Sequence, residues 1–231
     1  MVVSGGTKGI GRALVERFLE EGFDVVTCSR NVQDLEQLKR EKQASFPDSK
    51  VFIAQADLSK KDEVLRFAEF VDSIGKPVDV LVNNTGVFIP GMVHLEEDGA
   101  LEAMMDANLY SAYHLTRSLI SPMVERRQGD IFNICSVASI KAYPNGGSYS
   151  ISKFALLGFS KVLREELKEH GIRVTAVLPG ATLTASWEGV ELPPERFMKP
   201  EDVAEAVWSV VRLSRQSVVE EIIIRPQLGD L

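Results

Sequence analysis

Met1-Val2-Val3-Ser4-Gly5-Gly6-Thr7-Lys8-Gly9-Ile10-Gly11-Arg12 opens the chain. A short β-branched run gives way to a glycine cluster, and apolar residues then recur at Ile10, Leu14 and Phe18 with the spacing of one helix face. The reading is strand, tight turn, helix. Glycines in such a turn permit positive φ and let the backbone approach a pyrophosphate, which the helix N-terminus also attracts. Gly5, Gly9 and Gly11 follow a Gly-x-x-x-Gly-x-Gly pattern, one residue longer than the usual dinucleotide fingerprint. A plain glycine-rich turn has the same local look, so the rest of the chain must decide. So little strand precedes Ser4 that either the first strand is very short or further residues belong before Met1.

Apolar, β-branched runs recur at residues 25–28, 51–53, 78–82, 131–135, 174–178 and 222–224. Amphipathic stretches separate them: Val64, Phe67, Ala68 and Val71; Leu101, Met104, Met105, Ala112 and Leu115; Leu156, Phe159, Val162, Leu163 and Leu167; Val203, Val207, Val210 and Val211. Strands that are apolar throughout belong to a parallel sheet covered on both faces. The expectation is an α/β fold of one domain over residues 1–231, with a doubly wound, mostly parallel sheet of about seven strands and helices on both faces. An irregular stretch rich in Pro, Gly, Thr and Glu, around residues 180–200, reads as a substrate lid or else as a surface excursion.

With 231 residues, 45% hydrophobic and 26% charged, the chain can bury a full sheet. A net charge of -7 argues against nucleic acid or an anionic membrane surface as principal partner. No apolar stretch is long enough for a membrane span, and no signal peptide is evident at the start. The two cysteines, Cys28 and Cys135, each follow a strand-like run and read as buried free thiols, which suits a cytoplasmic location. His94, His114 and His170 lack ligand-like spacing, so no metal site is expected. Acidic pairs such as Glu96-Glu97 read as solvated surface.

The chemistry concentrates in Gly147-Ser148-Tyr149-Ser150-Ile151-Ser152-Lys153. Residues four apart share a helix face, so Tyr149 and Lys153 can enter one cleft, where the ammonium is expected to lower the phenol's pKa. Ser136 lies thirteen residues earlier, at the end of an apolar run. In a dinucleotide site, an acidic residue ending the second strand receives the ribose 2′-hydroxyl. Here Asp24 stands at that strand's start, and its end reads Cys28-Ser29-Arg30. Arg30, with Ser29 and Lys8, suits a 2′-phosphate instead, which favours NADP(H) over NAD(H).

With the glycine motif, Ser136 and Tyr149-x-x-x-Lys153 in place, the chain resembles the short-chain dehydrogenase/reductase superfamily, whose fold is of the Rossmann type, over nearly its whole length. Supporting matches are Ala56-Asp57-Leu58, Asn83-Asn84-Thr85-Gly86, Asn108 and Pro179-Gly180-Ala181-Thr182-Leu183-Thr184; Thr85 and Thr182 replace the family's usual Ala and Val. The resemblance implies that Tyr149 protonates a substrate carbonyl, Ser136 holds the same oxygen, and Lys153 binds the nicotinamide ribose. Asn108 would bend its helix and anchor a water that relays protons. Gly5, Thr7, Lys8, Gly9, Ile10 and Gly11 would cradle the cofactor phosphates. Asp57 and Leu58 would meet the adenine, Asn84 and Gly86 the adenosine and ribose, and Pro179, Gly180, Thr182 and Thr184 the carboxamide end. Dimers or tetramers built from the helices around residues 101–127 and 149–170 and from the last strand are also implied.

The lid, with Trp187, and the closing run Val218-Val219-Glu220-Glu221-Ile222-Ile223-Ile224-Arg225-Pro226 are similar to bacterial sepiapterin-reductase-like members. Phe88, Tyr143 and Trp187 would then line a substrate pocket, although Trp187 could equally clamp the lid. The expected activity is hydride transfer to a ketone, a pterin side-chain ketone among the candidates. A 3-oxoacyl-[acyl-carrier-protein] reductase would share the same residues, and a non-catalytic NADP(H) sensor or scaffold is the alternative of another class.

Overall fold

The computed structural model describes residues 1–184 and 192–230. The β-branched runs become β1 (Val2–Ser4), β2 (Val25–Ser29), β3 (Val51–Gln55), β4 (Val80–Asn83), β5 (Gly129–Ile134), β6 (Ile172–Pro179) and β7 (Glu221–Ile224). Between them run α1 (Gly9–Glu20), α2 (Val32–Ser45), α3 (Lys61–Ser73), α4 (Ala100–Met105), α5 (Ser111–Arg126), α6 (Gly147–Leu167) and α7 (Pro200–Val211). Among the described residues the strands form one seven-stranded sheet ordered β3-β2-β1-β4-β5-β6-β7. Every neighbouring pair is parallel, where mostly parallel was expected, because a helical crossover precedes each new strand.

Successive strand residues point to opposite faces, and both faces are buried. Val3, Val82 and Phe132 pack with Leu14 and Phe18 of α1, Leu38 of α2 and Val203 and Val207 of α7. Val2, Leu81 and Ile131 pack with Val64 and Phe67 of α3, Leu115 and Leu119 of α5 and Leu163 of α6. Sandwiching of this kind explains why the strands read as apolar throughout. Two residues counted with the inward helix stripes turn outward instead: Leu101 is 39% and Val162 54% exposed.

Chain order reverses between the neighbours β1 and β4. Their following loops therefore leave in opposite directions and open a crevice at the carboxyl ends of the strands. The other end of the sheet is locked by charge. Arg173 donates to both Asp130 oxygens, at 2.6 and 3.1 Å, and to the carbonyls of Val211, Leu213 and Ser214. Arg215 donates to the same carboxylate at 3.1 and 3.0 Å. The Asp130 and Arg173 side chains are only 8% and 6% exposed, so removing the anion leaves a buried guanidinium without its countercharge. Asp130→Ala should cost about 3 kcal/mol, read as a lower urea midpoint at unchanged slope. A loss within about 0.5 kcal/mol, the range of ordinary surface changes, would contradict a locking role.

Candidate active site

The glycine loop is fixed from three strands. Thr27 on β2 donates its hydroxyl to the Val3 carbonyl at 2.8 Å and accepts from the Gly6 amide at 3.0 Å. From the end of β4, Asn84 donates its side-chain amide to the Ser4 and Gly5 carbonyls at 2.9 and 3.2 Å, while Ser4 Oγ accepts from the Asn84 and Thr85 amides. Gly5 has φ +69°, and a Cβ on Gly11 would stand 2.2 Å from the Gly5 carbonyl oxygen, so only glycine lets α1 begin this close to the loop. No side chain caps α1, and its first turn carries no acidic residue. The Thr7, Lys8, Gly9, Ile10 and Gly11 segment therefore presents a helix N-terminus suited to a phosphate.

At the end of β2, Ser29 Oγ accepts from Thr7 Oγ1 at 3.3 Å. Arg30 is exposed, and its guanidinium makes no hydrogen bond or ion pair among the described residues. Lys8 differs from expectation here, because it pairs with Asp34 at 3.2 Å in the first turn of α2. Asp57 accepts from the Ser59 amide and hydroxyl at 3.2 and 2.8 Å. Burial would raise its pKa, but the Ser59 bonds and the nearby Lys60 and Arg30 charges hold it below the usual carboxylate range. The Leu58 side chain is buried in the core, which leaves only its backbone for an adenine contact.

The reactive groups meet at the ends of β4 and β5. Ser136 follows β5 and starts a 3₁₀ turn (Val137–Ser139), its Oγ accepting from the Ala138 amide at 3.1 Å. Lys153 on α6 is 4% exposed and donates to the Ile134 carbonyl at 2.9 Å. Burial pushes its pKa down to about 8, with Cys135 acting the other way. Tyr149 corrects an expectation. Burial raises its pKa, and the hydrogen bond with Ser136 opposes that rise without reversing it. The Lys153 ammonium, held on the Ile134 carbonyl with its nitrogen 5.8 Å from the ring centroid, does not reverse the rise.

Asn108 sits fully buried in a π-helical turn (Asp106–Tyr110) between α4 and α5, as the expected helix irregularity required. It accepts from the Val87 amide at 2.7 Å and donates to the Val87 carbonyl and Ser152 Oγ at 3.0 and 2.8 Å. Ser152 donates onward to the Tyr149 carbonyl at 2.7 Å. A Cβ on Gly86 would stand 3.0 Å from Asn108 Oδ1 and 3.4 Å from Lys153 Nζ, so Gly86 leaves both polar groups room at the crevice floor.

Phe88 meets Tyr149 edge-on, with ring centroids 4.9 Å apart. Burial, then the nearness of Tyr149, pushes the Tyr143 phenol up to about 12. Pro179 ends β6, the Gly180 amide donates to Ile224 at 2.8 Å, and Thr182 is buried with its hydroxyl on the Gly180 carbonyl at 3.0 Å. Thr184 reaches the glycine loop, its methyl 2.9 Å from where a Gly9 Cβ would lie. Trp187 lies outside the described residues. Glu96 was missed in sequence: rather than standing in solvent, its carboxylate accepts from the Ser148 amide at 2.8 Å and from the Ser148 hydroxyl. Fifty-two positions separate the pair, so no local pattern announces it.

Comparison with known proteins agrees with this fold. The family model described as "short chain dehydrogenase" matches residues 1–193. The chain is 32% identical to a sepiapterin reductase of Chlorobaculum tepidum, covering 100% of this chain and 97% of that protein. It is also 32% identical to a 3beta-hydroxysteroid dehydrogenase 2 of Eggerthella lenta, over 96% of this chain and 83% of that one. A metagenomic short-chain oxidoreductase solved in complex with NADP superposes with TM-score 0.85 at 31% identity, covering 99% and 96% of the two chains. The chain belongs to the short-chain dehydrogenase family of oxidoreductases.

Proposed function

We propose that the protein is an NADPH-dependent carbonyl reductase that acts on ketones, with a planar, pterin-like ketone as the leading substrate. The observation that carries this reading is the convergence of Ser136, Tyr149, Lys153 and Asn108 beside an uncapped, glycine-bounded helix N-terminus. The residues fit the cofactor: the opening of α1 takes the pyrophosphate, and the unpaired Arg30, with Ser29 and Thr7 beside it, takes the 2′-phosphate. When bound, NADPH supplies the hydride.

The chain's own residues handle the proton. Ser136 donates a hydrogen bond to the substrate carbonyl oxygen, and Tyr149 gives that oxygen its phenolic proton. A phenol whose pKa is raised stays protonated at neutral pH, the state a reduction needs and an oxidation must first remove. Lys153 would hold the nicotinamide ribose and pass to Tyr149 a proton that it regains from solvent, with Asn108 keeping the helix and the Val87 backbone in place. Asn84 and Gly86 border the adenosine and ribose, and Thr182 and Thr184 the carboxamide end.

Phe88 and Tyr143 offer aromatic walls for a flat ring, and the sepiapterin reductase relative supports that substrate class. A non-catalytic sensor would have no use for a buried ammonium next to a desolvated phenol. Homo-oligomers through α5, the π-helical turn before it and α6 are supported by outward-facing Tyr110, Phe154 and Val162, which are 46%, 46% and 54% exposed. Two buried free thiols suit the cytoplasm, and among the described residues no helix is long and apolar enough to cross a membrane.

Three outcomes test this reading. Tyr149→Phe should bind NADPH normally by fluorescence titration and lose about 10²–10⁴-fold in kcat; activity within a few-fold of the parent would remove Tyr149 from its role. Arg30→Ala should raise KM for NADPH about tenfold or more and leave NADH almost unaffected, whereas parallel changes for both would place the 2′-phosphate elsewhere. Because the Lys153 pKa is depressed, its charge is lost as pH rises through about 8, so ketone reduction should decline above that pH. A rate flat to pH 10 would separate the ammonium from the rate. The substrate class is read from NADPH oxidation with sepiapterin, a 1,2-diketone, an acetoacetyl thioester and a ketosteroid.

A further inference from the structure

The loop between β4 and α4, which carries Phe88 against Tyr149, is bridged to the residues that lead into α6. Gly91 donates its amide to the Asn145 carbonyl at 3.0 Å and accepts from the Gly147 amide at 3.1 Å, a short parallel bridge onto the residues that lead into α6. Gly146, at the N-terminal boundary of α6, supplies no side-chain cap. The carboxylate of Glu96 does so from the loop, holding the amide and hydroxyl of Ser148, the residue before Tyr149. These bonds hold the Glu96 pKa below its usual range.

Two glycines make room for the carboxylate. A Cβ on Gly91 would lie 2.6 Å from Glu96 Cγ, and one on Gly147 would lie 2.2 Å from Glu96 Oε1. Neither glycine has a positive φ, so space and not backbone conformation restricts these positions: Glu96 at Gly91, and Glu96 together with the Gly91 carbonyl oxygen, 2.7 Å away, at Gly147. The same loop carries Phe88, which sets its ring edge against Tyr149.

We propose that Glu96 is a positioning residue for the reduction. By clasping the β4–α4 loop to the first turn of α6, it sets the Tyr149 phenol against Ser136 and seats Phe88 on it. This inference rests on the carbonyl reductase reading. Reaction geometry is sensitive enough that a displacement of about 1 Å can cost about 10²-fold, so a loosened first turn acts on turnover. Among the described residues, neither Glu96 nor Gly91 hydrogen-bonds to the glycine loop, the end of β2 or the start of α1, where the phosphates would lie.

The test uses four variants of the full chain. Glu96→Ala should lower kcat about tenfold and leave NADPH affinity within about twofold. Glu96→Gln, which can still accept from the Ser148 amide and donate to its hydroxyl, should restore kcat to within about threefold. Gly91→Ala should reproduce the Glu96→Ala loss by displacing the carboxylate, and the double variant should be no worse than either single change, since both act on one contact. A Glu96→Ala kcat within twofold of the parent, an additive double variant, or equal losses in the Gln and Ala variants would overturn the proposal. Hydrogen exchange at Gly147 and Ser148 separates the two claims. If the parent reduces no ketone, the reductase reading falls, and the clasp stands or falls on whether Glu96→Ala removes protection at those amides.

Discussion

The hydrogen bond from the Lys153 ammonium to the Ile134 carbonyl, 2.9 Å long, ties the sheet to the chemistry. A buried ammonium is expensive unless its protons find acceptors, and this carbonyl, at the last position of β5, meets one of the three donors. The rest of the group faces the space that Gly86 leaves clear. Four positions scattered along the sequence, 86, 108, 134 and 153, thereby meet in one small volume. Holding the cation there requires α6 to lie across the sheet at a fixed depth, which in turn delivers Tyr149 to the level of Ser136. Core contacts of Leu156, Leu157 and Leu163 along the same helix provide that depth.

Strand order does the remaining positioning. Because β1 and β4 are neighbours although eighty residues separate Ser4 from Asn84, the glycine loop and the loop that borders the reacting groups spring from adjacent strand ends. Asn84 binds the two loops together through the Ser4 and Gly5 carbonyls. The glycine loop and Tyr149 are thus anchored to a common frame. A buried amide and hydroxyl network, Asn83 to Thr116 and Asn133, and Asn133 to Ser160, ties β4, β5, α5 and α6 together directly beneath it. These buried hydrogen bonds fix relative placement more sharply than apolar packing alone, although Asn83 Oδ1 itself has no partner among the described residues.

Much of this was legible because short motifs encode local geometry. The strand, turn and helix of residues 1–20 follow from glycine spacing, and Tyr149 and Lys153 share a cleft because helices repeat every 3.6 residues. Arg30 reads as a phosphate partner from its place after β2, and its guanidinium makes no ion pair among the described residues. Other features were illegible for physical reasons. The direction of the Tyr149 shift depends on desolvation, whereas sequence shows only the neighbouring cation. The apolar stripes that include Leu101 and Val162 have the period of a core face, but periodicity does not say what covers a face, and these two residues lie outside. Glu96 became visible only when the loop's fold brought it to Ser148, and the pairing of Lys8 with Asp34 likewise needed the first turn of α2 in place.

The central claim is that the Tyr149 phenol is the proton donor at a ketone seated beside the nicotinamide. A crystal structure with NADP⁺ and a slow or inert ketone analogue tests it most directly. The account predicts the phenolic oxygen and Ser136 Oγ both within about 3 Å of the analogue's carbonyl oxygen, with Lys153 on the ribose. A carbonyl held by other side chains, with Tyr149 turned from the nicotinamide or walled off from the glycine loop, would contradict it.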